Sequence, residues 1–204
     1  MLEAVRVGAW SGKSLPYDAE VEWIESTGSQ WLDCGVNPKN STVLDCTVEL
    51  MSNVASQMLG AYNSWQNNSF VLWYQTNPKI QAQFGGNNTD ALYSLFNIKR
   101  RIRLSKDFYY IDDTNIRGKL SVTIDQPKSI HIFAVNNGSD THSSTARMRL
   151  YDFKIYEGNT VVCDTKMCRF TNENGVSEGA MFDSVSGKLF RNAGTGAFVI
   201  GPDK

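Results

Sequence analysis

The 204-residue chain is expected to fold as an all-β protein, a two-sheet antiparallel β-sandwich. Three observations predict this. Apolar and polar residues alternate with period two along most of the chain, helical periodicity is almost absent, and Gly/Asn/Ser-rich clusters separate the alternating runs. The length suits one large sandwich with a sizeable core.

Residues 1–16 show neither alternation nor repeat and read as an extended arm or linker, leaving 17–204 as a single domain. Strands follow at 21–25 and 30–36, where Cys34 shares parity with Leu32 and Val36. The run 42–50 puts Leu44, Cys46, Val48 and Leu50 on one face, and a turn near Asn40 would set Cys34 opposite Cys46. Strands at 57–62 and 69–75 come next, with Trp73 and Tyr74 necessarily on opposite faces. In 79–84, Ile80, Ala82 and Phe84 take the buried parity and Gln81 and Gln83 share the open face. Only "TDALYSLF" could form a helical turn or two. Residues 100–105 alternate Arg101 and Arg103 with Ile102 and Leu104, followed by strands at 108–112 and 120–124. The run 129–135, "SIHIFAV", is apolar on both faces, as in a strand covered on both sides. In 147–156 the parity changes between Leu150 and Phe153, so a β-bulge near Tyr151–Asp152 is expected. Strands at 160–164, 188–192 and 196–200 complete the series, and Asp183 opens a turn through Gly187.

Twenty basic against twenty-one acidic side chains give a net charge of −1, which offers no whole-molecule attraction for nucleic acid or anionic lipid. No apolar run approaches membrane-spanning length, so no membrane insertion is expected. The start, "MLEAVRVGAWSGKSLP", lacks an apolar core of signal-peptide length, and classical secretion is not expected. Cys34, Cys46, Cys163 and Cys168 form no metal-ligand spacing and are expected as reduced thiols.

The segments "RMRLYDFKIYEGNTVV" and "RIRLSKDFYYIDDTNI" resemble strands of the concanavalin A-like lectin/glucanase superfamily, particularly its laminin-G-like jelly rolls. The ends "LPYDAEVEWIESTGSQWLDCG" and "GAMFDSVSGKLFRNAGTGAFVIG" are similar to modules of gut bacterial surface proteins and of phage or prophage fibre proteins. The resemblance implies the sandwich, a non-catalytic binding or adhesion role, and display on a virion or cell surface. It leaves homo-oligomerisation open, and with it a virion partner held through residues 1–16.

Three kinds of chemistry then come into question. Glu20, Glu22 and Glu25 form E-x-E-x-x-E, close to the carboxylate strand of retaining β-glucanases. The middle residue departs from that pattern and the segment lies at the start of the module, so no catalytic residue is assigned. No cofactor or metal motif is present, although Asp112 and Asp113 or Asp140 offer hard oxygens to a loop calcium ion. The richest patch is "LGAYNSWQNNSFVLWYQTNPKIQAQFGG". Aromatic faces pack on sugar C–H surfaces and carboxamides pair with hydroxyls, so Asn63, Trp65, Trp73, Tyr74, Gln81 and Gln83 are the expected glycan contacts. A structural virion protein without glycan binding is the alternative reading, and a β-glucanase the third.

Overall fold

A computed structural model describes residues 15–63, 68–76, 78–139, 142 and 145–204. Its strands are β1 (Ala19–Glu20), β2 (Ile24–Thr27), β3 (Leu32–Asp33), β4 (Thr42–Leu50), β5 (Ser56–Ala61), β6 (Phe70–Thr76), β7 (Lys79–Phe84) and β8 (Asn87–Leu92). They continue with β9 (Arg100–Ser105), β10 (Tyr109–Ile111), β11 (Thr114–Arg117), β12 (His131–Ile132), β13 (Arg147–Glu157), β14 (Thr160–Thr171), β15 (Ser177–Asp183), β16 (Lys188–Phe190) and β17 (Val199–Ile200). The described residues contain no helix.

Two antiparallel sheets pack face to face. The larger runs β11-β10-β9-β4-β13-β14-β15-β16, with β1 added to β14 and with β2 and β17 added beside β13. The smaller runs β3-β12-β5-β6-β7-β8. Between them lies one apolar cluster that includes Leu44, Cys46, Val48, Phe70, Leu72, Tyr74, Ile80, Phe84, Ile102, Leu104 and Phe153. The expected bulge is present: β13 shifts register against β4 between Leu150 and Asp152, which returns Phe153 and Ile155 to the core face. A satellite cluster of Cys168, Phe170, Ala180 and Phe182, with Tyr17 packed against it, covers β14 and β15 on their other side.

The structure corrects four expectations. Residues 87–92 are the edge strand β8, paired with β7, where "TDALYSLF" suggested helical turns. The strand at 120–124 is absent: Ile124 N donates to Asn40 Oδ1 and Leu120 N to Lys106 O, but no ladder forms. The two-faced run 129–135 is buried as expected, yet only His131–Ile132 is strand, because Phe133 turns to φ 70°. Cys34 and Cys46 are not a cross-strand pair: Cys46 on β4 stands opposite Phe153 and Ile102, and Cys34 follows β3 in the small sheet. All four cysteines are free and buried.

The turn after Asp183 matches its sequence. Asp183 is 2% exposed, and its carboxylate accepts from Asp164 N (2.8 Å), Val185 N (3.1 Å), Ser186 N (3.1 Å) and Ser186 Oγ (2.5 Å). Gly187 closes the turn at φ 71°, a conformation that L side chains disfavour.

Candidate functional site

Four strands of the small sheet place Gln57, Trp73, Gln81 and Asp90 side by side, in register across β5, β6, β7 and β8. Tyr74, Ile80 and Ala91 fill the core, so alternation turns this row outward. Three strand spacings of about 4.8 Å make it roughly 14 Å long. The Trp73 ring is part-exposed and its Nε1 is turned inward. With Ala55, Ser56 and Gln57 it lines a hollow of about 120 Å³.

The polar end of the row is fixed. Gln81 Nε2 donates to Asp90 Oδ1 at 2.7 Å, and Lys79 Nζ pairs with Asp90 Oδ2 at 2.7 Å. The Lys79 ammonium holds the Asp90 carboxyl below the usual carboxylate range, with Gln81 adding to the effect. Asp90 is therefore an acceptor-only anchor, and Gln81 keeps its carbonyl oxygen directed by the bond its amide makes.

Of the expected contacts, Trp73 and Gln81 stand in this row. Asn63 is exposed at the end of the β5 hairpin arm, and Trp65 lies outside the described residues. Tyr74 is a correction: its ring is wholly buried and its hydroxyl donates to Asn53 Oδ1 at 2.6 Å, so it serves the core and not the face. Gln83 points to the outer side but is 6% exposed, in a row with the buried Val71. Gln57, Lys79 and Asp90 were not picked out from sequence. Gln57 and Lys79 each open a strand run that alternation had located, whereas Asp90 fell in the segment that looked helical.

Of the opening carboxylates, Glu20 and Glu25 are each engaged by a different partner. Glu20 is on β1 against β14, where Tyr17 Oη donates to it at 3.2 Å. Glu25 is on β2 against β13 and β17, and Arg149 Nε donates to it at 2.8 Å. The same guanidinium lies 4.2 Å from the Trp23 ring and 3.7 Å from Glu49. Two carboxyl groups serving a retaining glycosidase stand about 5–5.5 Å apart across a shared cleft; Glu20 and Glu25 belong to strands with different partners.

A groove of about 300 Å³ crosses the outer face of the large sheet, lined by Asp45, Thr47, Arg101, Asp152, Lys154 and Tyr156. Its cations are engaged: Arg101 forks onto Asp45, and Lys154 Nζ meets Asp164 at 3.1 Å. Arg103 lies over the Tyr110 ring, so the basic run forms the polar face of a strand. For calcium, Asp112 is already taken by Arg100 and by Arg101 N, and Asp140 lies outside the described residues. Among the described residues no group of three His, Cys, Asp or Glu side chains could hold a metal ion.

A second aromatic cluster joins residues distant in sequence. Trp31 stacks on His131 (4.3 Å, 25°) and meets His142 edge-on (4.8 Å). His131 Nδ1 and His142 Nε2 are hydrogen-bonded at 3.0 Å, and His131 Nε2 lies 3.9 Å from Asp33. Burial pushes the His131 imidazole down to about 4; Asp33 opposes that shift without overcoming it.

No family model matches the sequence, and neither does any curated protein. Among solved structures, the chain is similar to a protein from Bacteroides ovatus ATCC 8483 provisionally described as carbohydrate binding. The TM-score is 0.59 at 11% identity, over 89% of this chain and 60% of that one. It is also similar to the native heptameric SAP-like pentraxin of Limulus polyphemus, with TM-score 0.51 and 10% identity over 69% of this chain and 77% of that one. At these identities the likeness concerns the fold, a jelly-roll β-sandwich.

Proposed function

We propose that this chain is a non-catalytic carbohydrate-recognition module that takes an uncharged saccharide on the outer face of its small sheet. The observation that carries the reading is the registered row Gln57–Trp73–Gln81–Asp90. It sets an aromatic ring between carboxamides and ends on a fixed acceptor. A sugar ring offers an apolar C–H face and equatorial hydroxyls, and this row supplies the complement to both. Lys79 neutralises Asp90, so the row carries no net charge to select an ionic ligand. The carbohydrate-binding description of the Bacteroides protein is in keeping with this reading. Display on a bacterial or virion surface, as an adhesion or host-recognition element, is the setting that the resemblance of the two ends suggests.

The test is a glycan array probed with the wild-type protein and with Gln81→Ala. Binding to a defined class of neutral glycan, weakened by the substitution, supports the reading. Binding confined to anionic glycans refutes it, and no binding by the folded protein refutes it in favour of a structural component of a virion.

A further inference from the structure

We infer that the chain carries a second saccharide site, separate from the Trp73 row, in the pocket that Trp31 forms with the loop 192–196. The inference rests on the reading that the chain binds uncharged saccharide. The pocket encloses about 280 Å³ and is lined by Gly28, Ser29, Trp31, His142, Ala193, Gly194 and Thr195. Ligand pockets start at about 300 Å³, so this one suits a single sugar ring, not an extended chain.

The walls are built rigidly. Trp31 N donates to Asn192 Oδ1 at 3.2 Å, and Trp31 O accepts from Ala193 N at 2.9 Å. Thr195 N donates to Ser29 O at 3.0 Å, while Ser29 Oγ donates back to Thr195 O at 3.1 Å. The absence of a side chain at Gly194 is required, because a Cβ there would lie 2.0 Å from Ser29 O and 2.9 Å from Trp31 Cδ1. His131 covers one face of the indole and His142 stands against it edge-on. An indole fixed in this way loses little side-chain freedom when a ligand stacks on it.

The chemistry of the lining decides the ligand class. Among the described residues no Asp, Glu, Lys or Arg lines the pocket, and the polar groups are hydroxyls, backbone amides and an imidazole. An ionic ligand would meet no counter-charge among these lining side chains. A neutral polyhydroxylated ring meets an aromatic platform and a rim of hydrogen-bonding groups. Leu32 is buried, so alternation puts Trp31 and Asp33 on the outer side of the small sheet, which also carries Trp73. Strands β3 and β6 are three spacings apart in that sheet, so the two tryptophans are separated by roughly 14 Å across the strands.

The experiment follows the tryptophan indole N–H resonances of the ¹⁵N-labelled chain during titration with neutral laminari-, cello-, xylo-, manno- and N-acetylchito-oligosaccharides. Each tryptophan resonance is assigned by single substitution. At least one saccharide is expected to shift Trp31. Thr195→Arg, which fills the pocket from its exposed rim and leaves the platform intact, should abolish that shift and spare any shift of Trp73. If saccharides move Trp73 but never Trp31, this inference falls and the reading above stands. If Trp31 alone moves, the inference stands and the Trp73 row is excluded. If neither moves with any saccharide, both fall. A Trp31 shift that survives in Thr195→Arg also overturns the pocket as its origin.

Discussion

Replacing Asp183 by alanine removes a carboxylate that is 2% exposed and accepts four hydrogen bonds, three from backbone N–H groups and one from a hydroxyl. A hydrogen bond to a charged group contributes about 1.5–3 kcal/mol net, so the gross value of the four is several kcal/mol. Two corrections reduce it. Val185 is exposed, so its N–H can turn to water in the variant, and the desolvation cost of the buried carboxylate disappears with the side chain. The surviving loss is about 3 kcal/mol, mostly from Asp164 N and the collapse of the Ser186 turn. Asp183→Asn keeps one carbonyl acceptor but presents an amide N–H₂ to the donors on the other side, and should lose roughly half as much. Urea denaturation with linear extrapolation measures both. For a chain of this size about 3 kcal/mol corresponds to a fall in Tm of roughly 6–12 °C. If Asp183→Ala loses less than about 0.5 kcal/mol, or Asn and Ala are equal, the carboxylate does not organise the turn in the way argued.

Three further outcomes are expected. Gly60→Ala should cost about 3 kcal/mol or more, or abolish soluble expression, because Gly60 has φ +133° and a Cβ there would lie 2.1 Å from Phe70 O; a shift below about 1 kcal/mol in the urea midpoint contradicts it. The four thiols should resist an aromatic disulfide reagent in the folded protein and all react in denaturant. Burial pushes Cys34 and Cys168 up to about 12 and raises Cys46 and Cys163 as well, so a thiol titrating rapidly in the native state refutes this. Stability should rise with pH between about 4 and 6.5, because folded His131 stays neutral there while its unfolded counterpart binds a proton. That window is worth about 3–4 kcal/mol at most, is lost as the pH falls, and should flatten in His131→Phe; an unchanged slope in that variant assigns it to other groups.

The fold was largely legible because period two is a strong signal and the core obeys it, as Ile80, Ala82 and Phe84 show. Even the bulge at Tyr151 could be read, since one inserted residue is what changes the parity once inside a long alternating run. Tertiary contacts hid the rest. The spacing of Ala91, Leu92, Leu95 and Phe96 imitates a helix, yet pairing with β7 holds 87–92 extended. Strand β15 escaped notice because Gly179 breaks its pattern; the gap lets Phe198 and Ile24 pack where a Cβ would stand. Conversely, 120–124 has the alternation of a strand, but no strand among the described residues pairs with it. At the candidate site, the opposition of Trp73 and Tyr74 was readable, but which one faced inward was not, because both flank the same apolar neighbours. The Trp31–His131–His142 cluster spans more than a hundred residues of sequence, and no local spacing announces it.

The most direct measurement is isothermal titration of the strongest neutral glycan from the array into the wild-type protein and into Trp73→Ala, with matching circular dichroism spectra as the control for folding. Truncating an aromatic at the centre of a binding face costs about 2 kcal/mol, so the account expects Kd to weaken roughly thirtyfold. An unchanged Kd in a folded Trp73→Ala would contradict it and remove the small-sheet row from the protein's recognition surface.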